Sequence, residues 1–182
     1  SLVLSPPVFL SQLIVPLMHR VGELWHDGEI HIAHEHMTTA IVRTILGNTY
    51  TMNAQSINAP LLVVTTPIGQ QHELGALLVA AMAAQDGWKV LYLSPNLPAA
   101  EIAHIALHNQ ARVIALSIVY PSDDPILEKD LQNLSQYLTK DIKILVGGNS
   151  AGAYKNVLEE IGAILVTDLK EFRSLLASFR TL

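Results

Sequence analysis

The chain has no cysteine, which excludes a disulfide framework and any thiolate metal site and makes a reducing interior the simplest setting. It also lacks a long hydrophobic run. The longest, Ala76 to Ala84, is far shorter than a membrane span, and the N-terminus has no charged start of a secretory signal, so a cytoplasmic protein without membrane contact is expected. Charge is scarce: Asp, Glu, Lys and Arg make up 15% of the residues, the net charge is −5, and the lysines and arginines are scattered. There is no basic face for a phosphate backbone, so this chain alone is not expected to bind nucleic acid. A Gly-Lys-Ser/Thr phosphate loop, a Gly-x-Gly-x-x-Gly after the first strand and a His-Glu-x-x-His are all missing; an enzyme acting by itself is not expected.

What is present is a hydrophobic half: 50% of the 182 residues, enough for one good core or two small ones. Ser5-Pro6-Pro7 reads as a helix start, and Leu10, Ile14, Leu17, Val21 and Leu24 recur at helical steps to form one apolar stripe. Pro16 is expected to kink or split this helix, and Asp27-Gly28 to end it. A second helix is expected from about Ile30 to Tyr50, with Ala33, Met37, Ala40, Ile41 and Thr44 on one side and Ile32, Glu35, His36 and Thr39 nearer another. Two such helices make a hairpin rather than a finished bundle. Their uncovered apolar faces predict a homo-oligomer.

The polar, proline-ended stretch from about Asn53 to Pro60 reads as a domain boundary. Beyond it, short apolar runs alternate with helical segments. Strands are expected at Leu61 to Thr66, Lys89 to Leu93, Val113 to Ile118, Ile142 to Val146 and Ile164 to Val166. The fold class is therefore α/β: a helical cap, a partial helix bundle over residues 1–55, followed by a Rossmann-like, doubly wound, five-stranded parallel sheet over residues 60–182.

His72 lies in Gln70-Gln71-His72-Glu73-Leu74-Gly75, right after the first strand, at the edge where such sheets bind ligands. A loop histidine can project an imidazole out of the fold, and Gly75 lets a bulky flat ligand approach the backbone. Upstream, Trp25-His26 is followed by Glu35-His36 at a Trp-x9-Glu-His spacing. Downstream stand Ser117-Ile118-Val119 after the third strand and Gly147-Gly148-Asn149 after the fourth. Each has a plainer reading: a structural loop histidine, a core tryptophan, a capping serine, a glycine pair in a tight turn. His19, His26, His31, His34 and His36 crowd the hairpin, and Glu23-Leu24-Trp25-His26 supplies one Glu-x-x-His. A bundle di-iron site needs two such motifs plus two further glutamates.

Taken together, these landmarks resemble the cobalamin-binding domain of the CarH family, light-responsive transcriptional regulators of MerR type whose chromophore is adenosylcobalamin. The resemblance runs from about Pro16 to the C-terminus. It implies that His72 ligates the lower face of cobalt, that Gly75 is among the cofactor-binding residues, and that Ser117, Val119, Gly147 and Gly148 contact the nucleotide tail. It also implies that Trp25, Glu35 and His36 wall the upper face, under the helical cap. His26, directly after the tryptophan, would take the upper cobalt position once light has expelled the adenosyl group. Gln70 stands where the family usually has an acid. A neutral amide there accepts the second N–H of His72 more weakly than a carboxylate, so a poorer lower ligand is expected. Glu73 is expected to point elsewhere. A corrinoid carrier for methyl transfer would share the His72 loop and the sheet, but such proteins generally lack the upper wall; a flavodoxin-like module without cofactor is the third reading.

Overall fold

The computed structural model describes residues 6–51 and 58–180, so Ser5 and residues 53–57 of the expected boundary lie outside the described residues. The chain starts with α1 (Pro6–Phe9), passes through a π-helical turn (Leu10–Ile14) and continues as α2 (Val15–His26). Pro16 acts one turn earlier than its own position. It has no N–H to give and its ring crowds the carbonyl four residues back, and the helix answers with a wider turn in which Val15 N–H bonds to Leu10 O. The extra residue rotates α2 relative to the turn before it. Met18, not Leu17, joins Leu10 and Ile14 in the core, and Leu17 is 41% exposed.

After a turn through Gly28, which has φ +74°, α3 (Ile32–Thr51) runs beside α4 (Leu74–Gln85). Val42 and Leu46 of α3 pack with Leu10 and Ile14 on Leu77, Ala81 and Met82 of α4. The side of α3 that carries Met37 and Ile41 turns to solvent, at 61% and 55% exposure. Periodicity alone shows two apolar sides on this helix; the contact with α4 selects one of them. The opposite side of α4, with Ala76, Ala80, Ala83 and Ala84, lies on the sheet. Burial on two sides accounts for its unbroken apolar run.

The sheet contains β1 (Leu61–Thr65), β2 (Lys89–Tyr92), β3 (Val113–Ser117), β4 (Lys143–Gly147) and β5 (Ile164–Leu165), all parallel, in the order β2-β1-β3-β4-β5. Every strand falls within a residue or two of its expected place. Helices α5 (Ala99–His108), α6 (Pro125–Tyr137) and α7 (Lys155–Glu160) cover one face, packing on Val63, Ile114, Leu116 and Val146. Helices α4 and α8 (Leu169–Arg180) cover the other, on Leu62, Val64, Ala115 and Leu145. Strands buried on both faces read as continuous apolar runs, which is why they are plain in the sequence. The chain reverses its winding between β1 and β3, so their carboxyl ends border the topological switch point. Among the described residues no helix is long and apolar enough to cross a membrane.

Candidate cofactor cleft

The loop between β1 and α4 is fastened from two directions. Thr66 Oγ1 accepts the N–H of Asn96 at 2.8 Å and donates to Gln70 O. Gly69 N–H bonds to Asn96 Oδ1 at 2.8 Å, from a backbone at φ +80° that favours glycine. On the other flank the fully buried Gln70 reaches the end of β3, where its Oε1 accepts the N–H of Val119 at 2.8 Å and of Tyr120 at 3.0 Å. Two donors on the oxygen fix the amide's orientation. Its Nε2 is buried without a partner. This corrects the expectation for Gln70: the oxygen meant to accept the N–H of His72 is occupied, and an amide nitrogen only donates.

His72 and Gln71 emerge from this braced loop into a cleft of about 680 Å³ between the helical hairpin and the carboxyl ends of β1 and β3. The sheet side is lined by His72, Gly75, Ser117, Val119, Gly148 and Asn149, and the hairpin side includes Met18, Glu35, Thr39 and Arg43. Of the expected site residues, the structure therefore brings Glu35, His72, Gly75, Ser117, Val119 and Gly148 to one place. Trp25, 49% exposed, and His36 are not among the walls. His36 stays tied to the site through Glu35: its Nδ1 lies 2.6 Å from Glu35 Oε2, while Thr39 Oγ1 donates to Glu35 Oε1 at 2.7 Å. The side chain of His26 lies outside what the structure describes. Among the described residues no three His, Cys, Asp or Glu gather as a metal site.

Two features of the sheet side suit a flat cofactor with a tail. Ser117 is 6% exposed and lines the cleft, and among the described residues its hydroxyl has no hydrogen-bond partner. A Cβ on Gly75 would stand 2.7 Å from Ser117 Oγ, so the space between them exists only because residue 75 is glycine. Gly148 answers to the fold itself: at φ +109°, a Cβ there would sit 2.3 Å from Ile118 O. Gly147 is not a wall, and a Cβ there would have only Val166 O at 3.4 Å as its nearest contact.

Sequence reasoning passed over two things. Gly148-Asn149-Ser150-Ala151-Gly152 has the Gly-x-Ser-x-Gly spacing of a nucleophile elbow, but Ser150 sits at φ −101° and its Oγ donates to Val119 O at 2.6 Å. The hydroxyl staples β4's loop to β3's and attacks nothing. The other is the pairing of Glu73, which does not point elsewhere as expected but lines the cleft beside His72, its Oε1 2.6 Å from the guanidinium of Arg43 on α3 and its Oε2 accepting from the hydroxyl of Tyr92 on β2. No local pattern marks a pair so far apart in the chain.

A family model of the B12 binding domain matches residues 60–171. The chain belongs to that family. A second model, also described as a B12 binding domain, matches residues 2–48. The protein is thus a cobalamin-binding domain, and its CarH-like character is supported by its relatives. It is 26% identical to the HTH-type transcriptional repressor CarH of Myxococcus xanthus over 158 residues, 87% of this chain and 52% of that one. To the repressor CarA of the same organism it is 24% identical over 165 residues, 88% of this chain and 54% of that one. The chain spans about half the length of these relatives. A monomethylamine corrinoid protein of Methanosarcina barkeri shares the fold with a TM-score of 0.70 at 16% identity, covering 98% of this chain and 85% of that one. So does a cobalamin-binding protein of Desulfitobacterium hafniense DCB-2, with a TM-score of 0.58 at 19% identity over 89% and 77%.

Proposed function

We propose that this domain is the sensory module of a light-responsive regulator in the cytoplasm, holding adenosylcobalamin under a helical cap and changing its assembly on illumination. The observation that carries the reading is the combination of the His72 loop with the Trp25 and Glu35-His36 hairpin, Glu35 and His72 lying in the walls of one cleft. Similarity to two repressors over most of the chain supports it. When bound, adenosylcobalamin supplies a metal–carbon bond that green light breaks.

The chain's own residues divide the work. His72 offers the lower imidazole from a loop that Gln70 and Thr66 hold still. Ser117 and Gly75 would frame the entrance for the tail, with Val119 and Gly148 beside it in the cleft wall and Gly147 reached only if the tail runs past that wall. Glu35 would present a carboxylate to the upper side, where Trp25 and His36 would also stand once the hairpin closes, and His26 would help to hold the cofactor after light. With a net charge of −5, the module acts on transcription through a partner or through assembly rather than by gripping DNA itself.

The test is reconstitution with adenosylcobalamin in the dark, followed by absorption spectra and light scattering before and after green light. A light-dependent change in both spectrum and assembly is expected. Illuminated wild type is expected to keep its cofactor through desalting, while His26→Ala loses it. A corrinoid carrier for methyl transfer, the reading that the corrinoid-protein fold favours, would be coloured without any light-dependent change of assembly. No colour at all would overturn both.

A further inference from the structure

Glu73 follows His72 directly and is the N-cap residue of α4, a position where Ser, Thr, Asp or Asn commonly accepts a backbone N–H of the first turn. It makes no such bond. Its side chain is 10% exposed, and its two oxygens are given to two different elements: Oε1 to the Arg43 guanidinium at 2.6 Å, Oε2 to Tyr92 OH. A carboxylate so far withdrawn from water depends on those partners, and the guanidinium is the stronger of them. The peptide joining His72 to Glu73 is therefore anchored through Tyr92 to the sheet and through Arg43 to the hairpin.

Arg43 is also the end of a ladder. Glu35, Thr39 and Arg43 follow at steps of four along α3, and all three line the cleft. Thr39 is bonded to Glu35, and Arg43 to Glu73. One helix face thus runs from the upper side of the cleft to the residue beside His72. We propose that Glu73 is the positioning residue for His72 and that Arg43 lets the hairpin set it, so that His72 ligation and hairpin closure are coupled. This coupling rests on the cobalamin reading. It is reciprocal: closure favours ligation to the same factor by which ligation favours closure.

The experiment uses hydroxocobalamin on the whole chain with two readouts: the His72-dependent part of the visible spectrum at saturation, and protection of the α2–α3 hairpin from proteinase K. Arg43→Met is expected to lower the protection conferred by the cofactor by roughly fivefold or more and to reduce the His72-dependent spectrum, while Arg43→Lys restores most of both. Glu73→Gln, which keeps the shape and the tyrosine bond, is expected to match Arg43→Met and stands in if that variant folds poorly. Unchanged spectrum and protection in Arg43→Met or Glu73→Gln would overturn the coupling. Failure of the cobalamin reading looks different: wild type and His72→Ala would then give the same spectrum, and the coupling would fall with it.

Discussion

The Oε1 atom of Gln70 accepts the N–H of Val119 at 2.8 Å, across the mouth of the sheet from the loop that carries His72. Tyr120 N–H shares the same oxygen, so Gln70 is first a brace between the ends of β1 and β3. Gln70→Leu strands both N–H groups, and a loss of about 2 kcal/mol is expected in denaturant unfolding of the cofactor-free protein. A loss within error would mean that water replaces the amide without cost.

Gln70→Glu separates the brace from any influence on the metal. One carboxylate oxygen can keep the bonds to Val119 and Tyr120, and the other then presents an acceptor where the unpartnered Nε2 now stands. An anionic acceptor for the second N–H of His72 makes the imidazole a better donor. Tighter retention of hydroxocobalamin is expected on dialysis; equal or weaker retention would show that His72 does not reach this group.

His72→Ala is expected to weaken cobalamin retention and to shift the visible spectrum toward a form without lower imidazole. Equal retention and an unchanged spectrum in His72→Ala would remove His72 from the lower position.

The two adjacent glycines are expected to behave oppositely. Gly148→Ala forces a Cβ against the backbone of Ile118 at a positive φ, and a loss of about 3 kcal/mol or more is expected with or without cofactor. Gly147→Ala meets nothing closer than 3.4 Å, so the cofactor-free protein is expected to melt close to wild type. If the nucleotide tail lies along Gly147, that variant alone binds cobalamin more weakly while its fold stays intact. Equal affinity in Gly147→Ala would remove Gly147 from the tail's path.

Legibility in the sequence depends on where each signal lives. The central strands β1, β3 and β4 are readable because burial on both faces leaves unbroken apolar runs between turns, the partly buried edge strands β2 and β5 because short apolar runs remain there too, and the His72 loop because its residues are contiguous. The π-helical turn is not readable: one inserted residue leaves the local spacing looking helical while it exchanges Leu17 for Met18 in the core. The inward side of α3 is ambiguous for a related reason, since both sides carry apolar residues and only Leu77, Ala81 and Met82 decide between them. Arg43–Glu73 and Gln70–Val119 are tertiary pairs, and residue type alone says nothing about which distant group a polar side chain will meet. Gly148 reads the same whether a ligand or Ile118 demands it.

The outward side of α3 leads to the last expectation. Met37 and Ile41 stand one turn apart on a helix whose other side is already committed to α4, and Leu13 and Leu17 are similarly uncovered on the preceding helical stretch. Apolar side chains left exposed in this way are removed from water most simply by a second copy, and a two-fold contact needs nothing more than one self-complementary patch. Chromatography with light scattering is expected to give a dimer or larger species that dissociates in Met37→Glu/Ile41→Glu. Exposed substitutions of this kind usually change stability by no more than about 0.5 kcal/mol, so the double variant is expected to melt near wild type and to retain cobalamin, its cleft lying on the other side of α3. A strictly monomeric wild type, with and without cofactor and in both dark and light, would mean that this face is not an interface between copies and that any response to light leaves assembly untouched.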